Sequence, residues 1–161
     1  MKNISRAYTI IGGVLLIAVA VGLFFLMNSS YSSNTSSDMF ESYEVKTISI
    51  NGHTVRAWIA NTQAAQERGL MHVEALPADT GMLFVFSSLM PRAFWNKNTL
   101  IPLDLLWIRE GKIVGISALP AEPEAGIVHV ASGEVVDMVL EVPRGWVEVH
   151  KVKIGNKLIF S

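Results

Sequence analysis

Residues 43–60, YEVKTISINGHTVRAWIA, contain the pattern that decides the fold of this chain. Residues 43–50 alternate in part between apolar and polar side chains and are rich in β-branched residues, which is typical of a strand. Asn51-Gly52 follows, and this pair favours a two-residue hairpin turn because both turn positions need a positive φ. Residues 53–60 return as the second strand. The stretch therefore predicts an antiparallel hairpin at the start of a β-rich domain.

The rest of the chain continues in short strands separated by turns. Asn61 or Thr62 can cap a short helix within residues 61–71, and Gly69 suits its C-terminal cap. Residues 120–125 are expected to form a loop. Further strands are predicted over residues 82–86, 93–99, 103–109, 113–119, 135–142 and 153–160, with a hairpin turn at 109–112 and a helical turn at 146–151. We therefore expect an α+β domain that is predominantly β, with a compact curled antiparallel sheet or small barrel and one short helix.

The first 27 residues predict a signal anchor. Lys2 and Arg6 precede an apolar core over residues 10–27, and a helix over residues 8–27 would be about 30 Å long, the thickness of the bilayer interior. We therefore expect an N-terminal transmembrane helix before the β-rich domain. Two alternatives stay open. A cleaved secretory signal normally has a shorter apolar region and a small-residue cleavage site, and a buried core helix rarely runs so long without polar residues.

Residues 28–42 contain seven serines and predict a flexible linker, so that residues 43–161 form the β-rich domain. Basic residues before an apolar segment stay in the cytoplasm. We therefore expect a single-pass protein of the cytoplasmic membrane, with its N-terminus cytoplasmic and its C-terminal domain extracytoplasmic. A cleaved leader would leave the domain on the same side.

The composition excludes several kinds of function. The sequence contains no cysteine, which excludes disulfides, thiolate metal sites and a cysteine nucleophile. A net charge of −1 means that the chain lacks the excess of Lys and Arg side chains that nucleic-acid binding requires. The four histidines are scattered singly, and familiar catalytic and nucleotide-binding motifs are missing. We therefore expect no cofactor, no metal site and no nucleic-acid partner. The expected partners are the membrane, through residues 8–27, and an envelope protein or small ligand.

A polar cluster stands out among the apolar strands. Asp104 lies in the apolar segment PLDLLW (102–107), where a lone carboxylate is costly to bury and needs a partner. Lys97, Asn98 or Thr99 on the preceding strand could supply it. Lys97 also shares strand parity with Trp95, and a cation beside an aromatic ring can bind an anionic or sugar-like ligand. A buried network that fixes a strand corner is the structural alternative.

Arg68 is a further candidate, in the segment ERGLM (67–71). It lies in the last turn of the predicted helix, where a cation also interacts favourably with the helix dipole, and this local role is the alternative to ligand binding. No catalytic residue is assigned. The candidate ligand-binding residues are Arg68, Trp95, Lys97, Asn98, Thr99 and Asp104.

The same segments resemble a known family, the domain of unknown function 192 family. Its motifs occur here in order as RGLM (68–71), GMLFVF (81–86), FWNKNT (94–99) and PLD (102–104), and VLE (139–141) followed by Gly145-Trp146 is similar to its C-terminal signature. The resemblance covers nearly all of residues 43–160. It fits the β-rich fold and the extracytoplasmic placement, and it implies no established activity.

The chain departs from the family pattern at two positions. The family usually has methionine where this chain has Asn96, and arginine where this chain has Val73. A shared site that needs that arginine would be incomplete here. The candidates that match the family motifs are Lys97, Asn98, Thr99 and Asp104.

Three functions are consistent with these observations. The leading hypothesis is a non-enzymatic, membrane-tethered extracytoplasmic domain that binds a small ligand or an envelope partner. The first alternative is a hydrolase-like envelope enzyme in which Lys97 and Asp104 have acid–base or electrostatic roles. The second is a structural component of a membrane complex, in which Gly12-Gly13 or Gly22 allows helix contacts.

Overall fold

The computed structural model describes residues 40–161, so the predicted membrane segment 1–27 and most of the predicted linker 28–42 lie outside the described residues. The strands in this range are β1 Val45–Ile50, β2 His53–Ala60, β3 Thr80–Trp95, β4 Leu103–Arg109, β5 Lys112–Leu119, β6 His129–Pro143 and β7 Leu158–Phe160. The helices are α1 Gln63–Arg68, α2 Glu122–Ala125 and α3 Trp146–Val149. None of these three helices is long and apolar enough to span a bilayer.

The patterns at the start of the domain are confirmed. β1 and β2 form the antiparallel hairpin, and Asn51 and Gly52 at its turn have φ angles of 52° and 82°. The Thr62 side chain accepts a hydrogen bond from the Ala65 amide (3.2 Å) at the start of α1, and Gly69 follows the helix with a φ of 50°. Local turn and cap chemistry therefore sets these boundaries.

All seven strands belong to one sheet with the order β5-β4-β6-β3-β2-β1-β7. Neighbouring strands are antiparallel except β2 and β3, which are parallel. The antiparallel sheet expected from the sequence therefore needs one correction. Residues 61–79 join β2 to β3 and include α1, so this connection is long enough to return the chain to the end of the sheet where β2 begins.

The sheet curls until its two edge strands meet at one end. The Leu158 amide of β7 donates a hydrogen bond to the Gly111 carbonyl (2.8 Å), and the Ile113 amide of β5 donates to the Asn156 carbonyl (3.0 Å). An isolated antiparallel bridge at Lys112 lies beside them. The predicted curled, predominantly β architecture is therefore confirmed, in the form of a half-barrel.

Both faces of the sheet are apolar. Along β4, Leu106 and Ile108 belong to one buried cluster, whereas Leu105 and Trp107 belong to another, because successive side chains of a strand point to opposite faces. The first cluster has members in all seven strands. The second includes Leu70 from the segment after α1, and we call its side of the sheet the helix-side face.

Five element predictions need correction, the first being that β6 begins at His129 and not at residue 135. β3 continues from Thr80 to Trp95, because irregularities in register between residues 85 and 93 let it stay paired with β6 beyond residue 86. Residues 96–99 form a loop and not the end of a strand. Residues 120–125 include α2, and β7 is limited to Leu158–Phe160, so the described residues contain three short helices where one was expected.

Phe40 and its neighbours belong to the packed domain. The Phe40 side chain is 1% exposed, and its ring centroid lies 5.2 Å from that of Tyr43 and 4.7 Å from that of Trp58. The sequence placed Phe40 in the linker because serines surround it. Its burial shows that ordered packing begins before residue 43.

Candidate functional site

Asp104 anchors the chain that follows β6. Its residue surface is 4% exposed, and its Oδ1 accepts a hydrogen bond from Arg144 Nη1 (3.0 Å). Its Oδ2 accepts from the backbone amides of Gly145 (2.9 Å) and Val147 (3.2 Å). A buried carboxylate with an ionic partner and two amide donors is well satisfied. Asp104 therefore fixes the start of α3.

The loop after β3 is fixed by backbone contacts and by α2. The Asn98 amide donates to the Glu122 carboxylate, and the Asn98 carbonyl accepts from the His72 amide (2.8 Å). The carbonyl of the buried Thr99 accepts from the Glu122 amide (2.9 Å). Neither residue is a hydrogen-bond partner of Asp104 within residues 40–161. The expectation that this loop satisfies Asp104 is therefore wrong.

Lys97 lies over an aromatic ring at the end of β3. Its Nζ is 5.0 Å from the centroid of the Trp95 ring, which is a cation–π distance. Lys97 is exposed, and Trp95 is 44% exposed. The two side chains are close as expected, although Lys97 lies in the loop after β3 and not on a strand. The ionic partner of Asp104 is Arg144 and not Lys97.

A small cavity lies on the helix-side face of the sheet, next to the end of α1. Its volume of about 30 Å³ is enough for a single water-sized group. Glu141 of β6 forms part of its wall, and the residues opposite Glu141 in the sheet are Met82 of β3 and Leu105 of β4. The wall of the cavity also includes Arg68, Phe84, Phe94, Trp95 and Thr99.

Glu141 is an unpaired acid in this cavity. The residue is 4% exposed, and within residues 40–161 its carboxyl group has neither a hydrogen bond nor an ion pair. Burial raises the pKa of Glu141 from 4.5 to about 8, because an apolar environment disfavours the charged form. The charge of Arg68, on the same wall, does not offset this effect. Glu141 is therefore a protonated carboxylic acid at neutral pH.

Close backbone packing surrounds Glu141. A Cβ atom at Gly81 would lie 2.2 Å from the Glu141 carbonyl oxygen, so only glycine lets β3 approach β6 at this point. The Gln66 side chain of α1 donates hydrogen bonds to the carbonyls of Val85 (2.8 Å) and Ala60 (3.3 Å). These contacts hold α1 against the sheet and close one side of the cavity.

A wider groove of about 190 Å³ borders the cavity. The Arg92 guanidinium in this groove lies 3.9 Å from the centroid of the Phe86 ring and donates to the Ser88 carbonyl (3.0 Å). The guanidinium is therefore only partly satisfied, because its Nε is buried without a hydrogen-bond partner among residues 40–161. The residues that line both the groove and the cavity are Gln66, Phe84, Phe94 and Trp95.

Comparison with known proteins identifies the domain. The family model DUF192, described as uncharacterized ACR, matches residues 46–160. This chain belongs to the DUF192 family. The resemblance noted in the sequence motifs is thereby confirmed.

Two solved structures are similar to this DUF192 domain. A "putative transcription regulator" from Sinorhizobium meliloti 1021 is 32% identical, with a TM-score of 0.67, and the match covers 73% of this chain and 95% of that chain. A protein of unknown function from Novosphingobium aromaticivorans DSM 12444 is 26% identical, with a TM-score of 0.65, and the match covers 71% of this chain and 84% of that chain. No curated protein matches the chain.

The DUF192 domain brings three of the six candidate residues to one cavity. Arg68, Trp95 and Thr99 line it together with Glu141. Lys97 lies beside Trp95, and Asn98 lies in the adjoining loop. Asp104 points to the opposite face of the sheet, because the residue that pairs with Glu141 in β4 is its neighbour at position 105.

Sequence reasoning missed Glu141 as a site residue. The signal was present, since Glu141 is a lone acid in the apolar end of VVDMVLEV (135–142). The argument that singled out Asp104 applies to it equally. Only the contacts distinguish the two acids, because Asp104 is satisfied by the protein and Glu141 is not.

The two departures from the family pattern have structural roles here. Asn96 is fully buried, and its Nδ2 donates to the carbonyls of Pro120 (3.1 Å) and Gly126 (2.8 Å). Its Oδ1 accepts from the Val128 amide (2.8 Å). Val73 is fully buried in the helix-side cluster. Asn96 therefore ties the loop after β3 to the loops around α2, and Val73 contributes to the core.

Proposed function

We propose that this DUF192 domain binds a small polar ligand in the Glu141 cavity and catalyses no reaction. The observation that carries the proposal is the buried Glu141 carboxyl group, which has no partner in residues 40–161. Burying such a group lowers the stability of a fold, and a bound molecule that pairs with it removes the cost. Perturbed ionisable groups in clefts are concentrated at functional sites.

The contacts of Asp104 favour binding over the hydrolase-like alternative. A catalytic pair of Lys97 and Asp104 would need both groups at one reacting atom. Asp104 instead accepts hydrogen bonds from Arg144 and from two backbone amides, while Lys97 lies over Trp95. Asp104 is therefore better suited to supporting the fold than to transferring a proton.

The proposal places the domain outside the cytoplasmic membrane. Residues 8–27 have the length and apolar character of a membrane-spanning helix, and Lys2 and Arg6 favour a cytoplasmic N-terminus. In this arrangement the cavity lies in the envelope, within reach of small molecules or of a partner protein there.

The description of the Sinorhizobium protein as a transcription regulator is not carried over to this chain. Residues 43–161 contain 11 Lys or Arg and 12 Asp or Glu. This balance lacks the basic excess that supplies most of the affinity for nucleic acid. A small ligand or an envelope protein therefore stays the proposed partner.

NMR spectroscopy of the full-length chain tests ligand binding. The Trp95 indole N–H resonance is monitored while amines, alcohols, carboxylates and sugars are added at millimolar concentration. We expect at least one class to shift this resonance in the wild type and in Glu74→Gln, which changes an exposed glutamate. The same class should have no effect on Glu141→Gln. If no class shifts the Trp95 resonance, or if Glu141→Gln responds like the wild type, the proposed function is wrong.

A further inference from the structure

We propose that the Glu141 cavity receives the primary ammonium group of a small zwitterion whose anionic group binds Arg68. This inference rests on the proposed function and names the chemical class of the ligand for that same site. Three features carry it: the size of the cavity, the chemistry of its wall, and the presence on that wall of two ionisable side chains, Arg68 and Glu141, that do not pair with each other.

The cavity admits only the end of a ligand. Its volume of about 30 Å³ exceeds the roughly 10–15 Å³ that a cavity needs to hold one water, so it admits a group of one or two heavy atoms. An ammonium group with its attached methylene fits this space, whereas a phosphate or a sugar ring is larger. The remainder of the ligand therefore lies at the rim, where Trp95 is 44% exposed.

The ligand group that enters the cavity must supply hydrogen bonds to the buried carboxyl group of Glu141. Glu141 faces the apolar residues Met82 and Leu105 across the sheet, and residues 40–161 provide no donor for it. A primary ammonium group brings three donors and a positive charge, and both favour the ionised carboxylate. A hydroxyl group brings one donor and no charge. The acid is therefore best matched by an ammonium group.

The wall of the cavity also favours a cation. Phe84, Phe94 and Trp95 line it, and the Phe84 and Phe94 rings are in T-shaped contact with centroids 4.8 Å apart. Aromatic rings attract ammonium groups, and the attraction increases when water is excluded. The Lys97 ammonium group already lies over the Trp95 ring. An anion is not attracted to the faces of these rings, so the anionic group of the ligand pairs with Arg68 instead.

Arg68 supplies the second charge. It lines the same cavity and has no ion pair within residues 40–161, and its Cζ lies 5.5 Å from the centroid of the Phe40 ring. Glu67, the other charged residue of the wall, accepts a hydrogen bond from Gln63 (2.8 Å). Arg68 and Glu141 line one cavity without pairing. A ligand with an ammonium group and an anionic group therefore bridges them.

Binding is coupled to the release of one proton. Burial raises the pKa of Glu141 to about 8, so its carboxyl group is mostly protonated at neutral pH. The incoming ammonium group favours the carboxylate, so the O–H bond of Glu141 breaks and the proton passes to the buffer. No other bond changes. The affinity therefore increases by up to about tenfold per pH unit below this pKa.

Isothermal titration calorimetry of the full-length chain with O-phosphoethanolamine tests the class. We expect binding with release of one proton, measured from the dependence of the heat on the ionisation enthalpy of the buffer. The affinity should be up to about tenfold higher at about pH 7.5 than at about pH 6.5. The phosphate monoester of ethylene glycol, which has a hydroxyl group in place of the ammonium group, should bind at least about tenfold more weakly.

Substitutions of Glu141 and Arg68 test separately the binding of the ammonium group and the binding of the anionic group. Glu141→Gln should abolish both binding and proton release. Arg68→Gln should weaken binding of O-phosphoethanolamine by about tenfold and leave binding of ethanolamine unchanged. Arg56→Gln, which removes the same charge from an exposed position on β2, is the control and should leave both affinities unchanged. If Arg68→Gln weakens both ligands equally, Arg68 does not bind the anionic group and the proposal is overturned.

Glycerophosphoethanolamine distinguishes a lipid headgroup from a free zwitterion as the source of the ligand. Tighter binding of this phosphodiester assigns a lipid headgroup, tighter binding of the monoester assigns a free zwitterion, and either result supports the proposal. If neither the phosphodiester nor the monoester binds while another class of compound shifts the Trp95 resonance, the proposal of a zwitterionic ligand is overturned and the proposed function stands. If no compound acts at the cavity, both are overturned.

Discussion

Two acidic residues in apolar strands show how differently one sequence signal can be used. Asp104 and Glu141 are each 4% exposed. Asp104 accepts hydrogen bonds from Arg144 and two amides, whereas Glu141 has no partner in residues 40–161. A satisfied buried acid supports the fold, and an unsatisfied one costs stability. Asp104 therefore has a structural role, and Glu141 is the residue at which ligand binding should be sought.

The raised pKa of Glu141 predicts a pH-dependent stability. Between about pH 4.5 and about pH 8 the folded chain holds one more proton at Glu141 than the unfolded chain, so raising the pH favours unfolding. The free energy of unfolding should fall across this window by about 5 kcal/mol at most from this group. Glu141→Gln removes the titration, so the variant should be more stable than the wild type at about pH 9. Denaturant unfolding at several pH values measures both effects.

Glu74→Gln is the matched control, because Glu74 is exposed. This variant should keep the pH dependence of the wild type. An unchanged slope in Glu141→Gln would show that Glu141 does not titrate in this window, and the account of the cavity would then be wrong.

At the scale of elements, Asp104 joins β4 to α3. The carboxylate of Asp104, the second residue of β4, accepts hydrogen bonds from the amide of Gly145, which precedes α3, and from that of Val147, the second residue of α3. Gly145 has a φ of 90°, so the chain reverses here in a conformation that glycine adopts readily. The side chain of one strand therefore fixes where another strand ends.

Asp104→Ala should destabilise the full-length chain by about 2–4 kcal/mol, because two partly buried amides and Arg144 lose their acceptor. Arg144→Gln should cost less than about 1 kcal/mol, since the Arg144 side chain is 53% exposed and its ion pair is screened by solvent. Lys97→Ala should leave the stability unchanged. Thermal and denaturant unfolding of the three variants checks this order. Equal losses for Asp104→Ala and Lys97→Ala would mean that Lys97 supports Asp104 after all.

At the scale of the whole molecule, the prediction concerns the side of the membrane on which the DUF192 domain lies. The chain has no cysteine, so a single introduced thiol reports one position. Ser33→Cys lies after the apolar segment, and Ser5→Cys lies before it. A charged, impermeant thiol reagent added to intact cells should label Ser33→Cys and leave Ser5→Cys unlabelled until the membrane is opened. Labelling of Ser33→Cys only after opening would contradict the extracytoplasmic placement.

The sequence by itself determined the features that depend on neighbouring residues. The Asn51-Gly52 turn, the Thr62 cap of α1 and the predominance of short strands follow from local backbone preferences, which are the same in any fold. The ordered motifs also determined the family. Arg68, Trp95 and Thr99 were candidates from two separate sequence segments, and their roles stay predictions, whereas the cavity that all three line is a feature of the tertiary structure.

Only the tertiary structure decided the features that depend on distant residues. The parallel pairing of β2 and β3 follows from the path of residues 61–79, and the length of β3 follows from its pairing with β6. The partners of Asp104 are about 40 residues away in the chain, and the strand residues opposite Glu141, Met82 and Leu105, are 59 and 36 residues away. Burial and hydrogen bonding are set by contacts across the sheet, so two acids with the same local sequence signal acquired opposite environments.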